Sequence, residues 1–233
     1  MSDSSLPPRP VFDPERLPII ADGPALPGVD AVRLTPDALR RRFATPPEWR
    51  PEIVEERRWQ GGAELAHAAV LVPLVLRQQG LTVLLTRRTA HLTHHAGQIS
   101  FPGGRSEAAD PDPTATALRE AAEEIGLDAR HIEVLGHLPD YHTGTNFRVT
   151  PVVALVHPPF MLQADAHEVA DIFEVPLTFL MDPAHHQVRS LVWEGGERRF
   201  FAMPYPRANG DGVHFIWGAT AGMLRNLYRF MVA

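Results

Sequence analysis

Three glutamates lie on one face of a predicted helix in the segment TATALREAAEEIG (114–126). Glu120 precedes Glu123 and Glu124 by three and four residues, so the three side chains are neighbours on a helix that ends at Gly126. Like charges at this spacing destabilise a helix by roughly 0.2–0.5 kcal/mol per pair. A bound cation would offset the repulsion, whereas a solvated charged face is the alternative interpretation.

A glycine pair, Gly103 and Gly104, precedes this helix in the sequence FPGG (101–104). Magnesium prefers hard oxygen ligands, and proteins usually bind it through a few carboxylates and the oxygens of a substrate phosphate. The glutamates and the glycine loop together therefore predict a site for Mg²⁺ or Mn²⁺ against a substrate phosphate. Divalent cations at such a site promote attack of water on a diphosphate, so diphosphate hydrolysis is the predicted reaction. Taken alone, the glycine pair would indicate only a turn.

The segments around the helix alternate between strand and helix patterns, which predicts an α/β fold. Two apolar runs, 68–76 and 81–88, are separated by RQQG and predict a hairpin with Gly80 in the turn. The remaining expected elements are strands over 131–138 and 148–156, a short helix and a strand within 167–180, and a strand followed by a helix within 213–231.

The N-terminal segment has a different composition, with seven prolines among residues 1–30. Proline cannot donate a backbone hydrogen bond, so we expect an extended or partly disordered arm there. A short helix follows, capped by Thr35 and started by Pro36, and it ends before Pro46. The predicted organisation is therefore an arm over residues 1–30 and one domain over residues 31–233.

Charge and composition exclude several functional classes. The chain of 233 residues carries a formal net charge of −6, which argues against nucleic acid as a partner. It has no cysteine, so disulfides and thiolate metal sites are excluded. Its start does not resemble a secretory signal, and its longest apolar run is too short for a membrane span. We expect a cytoplasmic protein with a small-molecule substrate, and the sequence leaves monomer and homodimer open.

The segment from Arg119 to Leu127, REAAEEIGL, resembles the signature of the Nudix hydrolases. The resemblance implies an α/β/α sandwich around a mixed β-sheet, with Arg119, Glu120, Glu123 and Glu124 as catalytic residues. It also implies that the three glutamates and the backbone carbonyl of Gly103 bind the metal. In two respects the chain departs from the common signature. Gly104 lies one residue further from Arg119, and Pro111, with Asp110 beside it, occupies the place of an upstream glutamate.

The preceding segment, LLTRRTAHLTHHAGQISFPGG (84–104), resembles a second signature that marks the coenzyme A pyrophosphatase branch of this family. This resemblance implies substrate binding by Arg88, His94, Gly103 and Gly104. Thr93 stands where that signature has a second arginine. Other shared segments are VTPVV (149–153) and WGATA (217–221).

Further acidic and imidazole side chains lie outside the signature. The branch places a Glu-Val pair at Glu168, which we interpret either as a further metal ligand or as an acidic residue at a helix start. His91, His94 and His95 are close in sequence, as are His185 and His186. None of them has the HExxH spacing of a helical zinc site, so we interpret them as surface or substrate-contacting groups.

The function implied by the resemblance is hydrolysis of the diphosphate of coenzyme A or a derivative to 3′,5′-ADP and 4′-phosphopantetheine. Another nucleoside diphosphate derivative, such as ADP-ribose, NADH or a dinucleotide, is the alternative substrate. A non-catalytic nucleotide-binding or protein-binding regulator is the alternative class. The chain retains all three glutamates of the signature, which favours an enzyme. The sequence does not distinguish free, acylated and oxidised coenzyme A, nor does it show which glutamate is the general base.

Overall fold

A computed structural model describes residues 12–22, 26–56, 65–91, 97–193 and 196–233. Within these ranges the chain forms twelve strands, four α-helices and several 3-10 turns. In chain order the elements are β1 (Ile19–Asp22), α1 (Pro36–Ala44), β2 (Ala66–Arg77), β3 (Gly80–Arg88), β4 (Ile99–Ser100), β5 (Gly103–Arg105), α2 (Pro113–Ile125), β6 (Ile132–His137), β7 (Tyr141–His142), β8 (Phe147–Val156), β9 (Val169–Pro176), α3 (Leu177–Leu180), β10 (Gln187–Trp193), β11 (Gly196–Pro206), β12 (Val213–Trp217) and α4 (Ala219–Val232).

The larger sheet is mixed and has β2 near its centre. β2 pairs parallel with β8, from Ala66 opposite Phe147 to Val75 opposite Val156, and antiparallel with β3 and β5. The strand order is β4-β3-β2-β8-β6, while β5, β7 and β9 pair with β2, β8 and β3 respectively. The predicted hairpin over 68–88 and the strands over 131–138 and 148–156 are confirmed.

Both faces of the central strands are covered, which explains why β2 and β8 are almost continuously apolar. On one face α2 packs through Ala117, Ala121 and Ile125 against Leu71 and Leu84 of the sheet. On the other face α4 lies in a larger apolar cluster, and most of its side chains are buried. The α/β/α sandwich around a mixed sheet is therefore confirmed.

A second sheet was not expected from the sequence. Its four strands run in the order β1-β10-β11-β12, and all three pairings are antiparallel. Met203 of β11 and Ile216 of β12 belong to the same apolar cluster as α4. The second sheet therefore belongs to the same core as the larger sheet.

Both ends of α2 are capped, and its predicted end at Gly126 is confirmed. The side chain of Asp112 accepts a hydrogen bond of 2.8 Å from the backbone N–H of Ala115, and Pro113 begins the helix. Gly126 ends it in the left-handed conformation, with φ of 66°. The two caps fix where the glutamate face begins and ends. The predicted α1 is also confirmed, because Thr35 accepts a hydrogen bond from the N–H of Ala38.

The N-terminal segment is more regular than expected where the structure describes it. Pro14–Arg16 form a 3-10 turn, and β1 pairs with β10. Arg189 of β10 holds this segment by donating hydrogen bonds to the carbonyls of Glu15 and Leu17, at 2.6 and 2.9 Å. Residues 19–22 are therefore extended, and sheet pairing and Arg189 supply hydrogen-bond partners for this segment. The arm over residues 1–30 as a whole stays a prediction. Residues 1–11 and 23–25 lie outside the described ranges.

The order of elements within 167–180 also differs from the expected helix and strand. Residues 166–168 form a turn, the strand β9 follows, and the helix α3 comes last. The run from Val169 to Val175 is rich in β-branched and aromatic residues, which favours a strand. None of the helices in the described ranges is long and apolar enough to cross a membrane.

A buried polar cluster joins α4 to the segment after α3. The guanidinium of Arg225, which is fully buried, donates to Glu52 at 2.8 Å and pairs with Nδ1 of His186 at 2.9 Å. His186 Nε2 lies 2.8 Å from the carbonyl of Leu180, so Nε2 carries the proton and Nδ1 accepts from Arg225. Burial, together with the charge of Arg225, lowers the pKa of His186 to about 4.

This pKa predicts an acid-dependent loss of stability. The unfolded chain takes up a proton near pH 6.5, whereas folded His186 resists protonation until about pH 4. The free energy of unfolding should therefore fall by about 3 kcal/mol between these pH values and should be unaffected by this group above them. Urea unfolding of the wild type and His186→Gln at pH 7.5 and pH 4.5 measures the difference. An equal loss of stability in the two proteins would contradict the assignment.

Candidate active site

The glutamates of α2 face the glycine loop to different degrees. Glu124 is buried, with 4% exposure, and its Oε2 accepts a hydrogen bond of 3.1 Å from the N–H of Gly103. Glu120 is half-buried, and Glu123 is mostly exposed. The side chains of Glu120 and Glu124 therefore lie at the junction of α2 and β5, as the sequence predicted.

Gly103 and Gly104 lie too close to neighbouring atoms for a larger residue to replace either of them. A Cβ atom on Gly104 would lie 2.6 Å from the carboxylate of Glu120. A Cβ on Gly103 would lie 2.5 Å from the carbonyl oxygen of Ala69, and its φ of 153° is one that side chains rarely adopt. The pairing of β5 with β2 brings the loop this close, since Gly103 and Gly104 lie opposite Val70 and Ala69. A larger residue at Gly104 would displace the loop from Glu120, and one at Gly103 would displace it from β2.

Negative charge is concentrated at this junction. Burial is the largest cause that raises the pKa of Glu124, to about 7, and the charges of Glu120 and Glu168 act in the same direction while Gly103 and Arg88 oppose them. Burial also raises the pKa of Glu120, although its hydrogen bond to Arg119 opposes the shift. Both shifts mean that the charged forms of Glu120 and Glu124 are destabilised in the folded protein. A cation bound beside the two carboxylates would offset this destabilisation.

Arg119 holds the glutamates from the solvent side of the helix. Its Nη1 donates to Glu120 at 3.1 Å and to Glu123 at 3.0 Å. Its Nε and Nη2 donate to the two oxygens of Asp110, at 3.1 and 2.9 Å. Its Nη2 also donates to the backbone carbonyl of Arg105. The predicted interaction of Arg119 with a glutamate is confirmed, and it extends to a second glutamate.

Asp110 therefore supplies the acidic group upstream of α2, one residue before the position that the Nudix signature indicates. Its carboxylate also accepts hydrogen bonds from the hydroxyl of Thr116 and the N–H of Glu107. The guanidinium of Arg119 holds the pKa of Asp110 well below its usual range. Asp110 was not among the predicted site residues, although it lies beside the expected position in the sequence.

Arg88 connects the buried glutamate to a carboxylate outside α2. Its Nη1 lies 3.4 Å from Glu124, and its Nη2 lies 3.7 Å from Glu168. Glu168 is in a turn before β9, so its interpretation as an acidic residue at a helix start is wrong. The structure brings Glu168 into the same charge network as Glu120 and Glu124.

The donor set fits a hard divalent cation. The carboxylates of Glu120, Glu123, Glu124 and Glu168 and the backbone of the glycine loop offer only oxygen ligands, which suits Mg²⁺ or Mn²⁺. Each of these carboxylates is within ion-pair distance of Arg88 or Arg119. Among the described residues no group of three His, Asp or Glu side chains is already arranged to hold an ion. The match between this site and a divalent cation therefore consists in the oxygen ligands and in their negative charge.

A cavity of about 300 Å³ opens beside the glycine loop. Gly103, Gly104 and Arg88 line it, as do Glu56, Arg198 and Trp217 from distant parts of the chain. Most of its other lining residues are apolar, which is typical of a site for a small organic molecule. Several lining residues that sequence reasoning did not assign to the site lie in segments shared with the branch, namely Phe101, Val149 and the run 217–220, whereas Glu56 and Arg198 lie in none of them.

The histidines do not form a second site in the described part of the chain. His185 stacks on Phe179, with ring centroids 3.8 Å apart, and His186 pairs with Arg225. His94, predicted to bind substrate, and Thr93 and His95 lie outside the described residues.

The contacts of Asp110 predict a role in positioning Arg119. Asp110→Asn removes the charge that anchors the guanidinium, so kcat should fall about 10- to 100-fold, as is typical for partners that orient metal-binding residues. Glu107→Gln is the matched control, because exposed Glu107 approaches Arg119 only to 4.0 Å and should leave kcat near the wild-type value. Steady-state kinetics of both variants make the comparison. Equal kcat for Asp110→Asn and the wild type would refute this role.

Comparison with known proteins agrees with this geometry. The family model for the NUDIX domain matches residues 65–194. Two proteins named uncharacterized Nudix hydrolase NudL, from Salmonella heidelberg (strain SL476) and Salmonella enteritidis PT4 (strain P125109), are each 38% identical over 200 residues, covering 85% of this chain and 96% of the relative.

Solved structures of lower similarity were also found. A MutT/nudix family protein from Enterococcus faecalis is 16% identical, with a TM-score of 0.43, and the match covers 73% of this chain and 63% of that one. The NUDIX domain of Shewanella oneidensis NrtR, complexed with ADP ribose, is 24% identical, with a TM-score of 0.39, covering 50% of this chain and 75% of that one. From the domain match and the extent of the NudL similarity, the chain belongs to the Nudix family.

Proposed function

We propose that this Nudix protein is a pyrophosphohydrolase that cleaves the diphosphate of coenzyme A or a derivative, giving 3′,5′-ADP and a 4′-phosphopantetheine species. The observation that carries the proposal is the approach of Glu120 and buried Glu124 to the Gly103–Gly104 loop, beside a largely apolar cavity. Coenzyme A is favoured over other nucleoside diphosphate derivatives by the segment 84–104 and by the position of Arg88. Arg88 lines the cavity and lies next to Glu124.

The residues that would hold the metal are Glu120, Glu123 and Glu124, with the backbone carbonyl of Gly103 and the carboxylate of Glu168. A divalent cation, Mg²⁺ or Mn²⁺, supplies neutralisation of the diphosphate charge and a water acidic enough to attack near neutral pH. Arg119 keeps Glu120 and Glu123 in place through two charge-assisted hydrogen bonds. The N–H of Gly103 does the same for Glu124.

The reaction adds one water across the bridging P–O–P group. The water oxygen bonds to one phosphorus, the bond from that phosphorus to the bridging oxygen breaks, and two phosphate monoesters form. A glutamate of α2 accepts the proton that the water loses. Arg88 binds the diphosphate oxygens from the cavity wall, since its planar guanidinium matches phosphate geometry.

The test of the proposed function is direct. Purified protein with Mg²⁺ is incubated with coenzyme A, ADP-ribose and NADH, and the products are separated by chromatography. We expect 3′,5′-ADP and 4′-phosphopantetheine from coenzyme A, and no product after chelation of the metal. Cleavage of ADP-ribose or NADH with coenzyme A left intact would show a Nudix hydrolase of another substrate. No cleavage of any of the three would favour a non-catalytic regulator.

The metal-binding role of the glutamates predicts a loss of turnover without loss of folding. Glu120→Gln and Glu124→Gln keep the side-chain shape but remove a negative ligand, so kcat should fall at least about 100-fold. The melting temperature should stay the same or rise slightly, because repulsion between the carboxylates is relieved. Exposed Glu48→Gln, outside the site, is the control for both measurements. Near-normal turnover in both site variants would exclude these residues as metal ligands.

The role of Arg88 predicts a defect with coenzyme A. Arg88→Ala removes one charge-assisted contact to the diphosphate, worth about 1.5–3 kcal/mol, so kcat/KM should fall roughly 10- to 150-fold. Arg87→Ala is the matched control, because the guanidinium of Arg87 pairs with Asp171 and does not line the cavity.

Thr93→Arg, which restores the residue of the branch signature, should leave kcat/KM equal or raise it. The variants are compared with coenzyme A and ADP-ribose at one ionic strength. A defect of Arg88→Ala confined to ADP-ribose would contradict the coenzyme A assignment.

A further inference from the structure

A buried ion pair lies on the cavity wall that the second sheet contributes. Arg198 of β11 donates to Oε2 of Glu56 at 2.7 Å, and both side chains are almost excluded from solvent. The hydroxyl of Tyr141 donates to Oε1 of Glu56, and the N–H of Gly144 donates to Oε2, each at 3.0 Å. The carboxylate is therefore held by three donors, one from β11 and two from the segment 141–144.

The groups that hold Glu56 are themselves tightly packed. Tyr141 lies so close to α4 that a Cβ atom on Gly222 would be 2.6 Å from its hydroxyl. A buried charge that loses its partner is strongly destabilising, so neither member of the pair can move away alone at low cost. The pair is consequently a rigid part of the cavity wall rather than a mobile surface contact.

The same pair separates two cavities. Glu56, Arg198 and Gly218 line the cavity of about 300 Å³ beside the glycine loop, and they also line a second cavity of about 150 Å³. Phe201 and Ile53 are among the residues that line only the second cavity. The pair thus lies where a longer group in the first cavity would meet a wall, with further space behind it.

The interior of the first cavity suits an uncharged group. Phe147, Val149 and Met223 line it, and Trp217 is packed between the rings of Phe12 and Phe200, with centroids at 6.0 and 5.2 Å. The carboxylate of Glu56 and the guanidinium of Arg198 neutralise each other. Burying an unpaired charge against such a surface is unfavourable, whereas apolar groups gain by leaving water.

We propose that the Glu56–Arg198 pair is the end wall of the substrate cavity and limits the length of the uncharged organic group that the substrate carries on its diphosphate. The inference rests on the proposed diphosphate cleavage but does not require coenzyme A as the substrate. Arg198 and Glu56 act on specificity through the size of the cavity and take no part in the chemical step.

The test uses alkyl esters of ADP, in which a chain of one to eight carbons is attached to the terminal phosphate. In the wild type, kcat/KM should rise with chain length and then fall once the chain reaches the wall. Replacing both residues, Glu56→Ala with Arg198→Ala, removes the two charges together and joins the two cavities. Each additional methylene that becomes buried should raise kcat/KM about 4-fold. The octyl-to-butyl ratio should therefore rise at least about 10-fold, mainly through KM.

Two further variants separate cavity size from charge and from general damage. Glu56→Gln with Arg198→Met removes both charges but keeps the volume, so it should keep the wild-type length limit. Arg77→Ala with Glu174→Ala removes an ion pair that lines neither cavity, and it should not change the ratio. If the Glu56→Ala, Arg198→Ala variant does not fold, Glu56→Gln with Arg198→Ala replaces it. This variant removes only the large side chain that β11 contributes to the wall, and the octyl-to-butyl ratio should again rise.

The outcomes distinguish this proposal from the proposed function. An unchanged length limit in the folded alanine variant overturns the end wall alone, and so does a shifted limit in the volume-keeping variant. Cleavage of the esters with coenzyme A left intact overturns the coenzyme A assignment and leaves the end wall to be judged by the ratio. Failure of the wild type to cleave any ester or coenzyme A overturns both proposals.

Discussion

The hydrogen bond from the N–H of Gly103 to the buried carboxylate of Glu124 is the contact on which the site depends. It joins α2 to β5, and β5 is in turn paired with β2 at the centre of the larger sheet. Because the carboxylate is almost fully buried, it must keep such partners or lose its charge. The position of the helix, the conformation of the glycine loop and the mouth of the cavity are all fixed by this one junction.

Local sequence signals predicted the elements that they directly encode. The Thr35 cap of α1, the end of α2 at Gly126 and the hairpin turn at Gly80 involve residues close together in the chain, and all are found as expected. The second sheet was missed because its strands carry arginines at buried positions, which weakens the apolar alternation. Partners from distant segments, Glu56 for Arg198 and the carbonyls of Glu15 and Leu17 for Arg189, help to accommodate these arginines.

The residues of the candidate site also fall into those that local sequence predicts and those that only tertiary packing brings together. The segment 103–124 holds both glycines, Arg119 and the three glutamates, so a single signature was enough to predict their proximity. Glu56, Arg198 and Trp217 reach the cavity only through tertiary packing, and no spacing in the sequence relates them. Asp110 is intermediate: it lies beside the position that the signature indicates, but only the structure shows its two hydrogen bonds to Arg119.

Charge is distributed unequally around the cavity. At the glycine loop, the described carboxylates that pair with Arg88 and Arg119 outnumber these two guanidinium groups; they are Glu107, Asp110, Glu120, Glu123, Glu124 and Glu168. At the wall contributed by the second sheet, the carboxylate of Glu56 is paired with the guanidinium of Arg198. A cation with its diphosphate is therefore stabilised at the first end, and an uncharged group at the second. For the proposed substrate, this difference in charge between the two ends would orient a diphosphate ester in the cavity before any specific contact to its organic group is made.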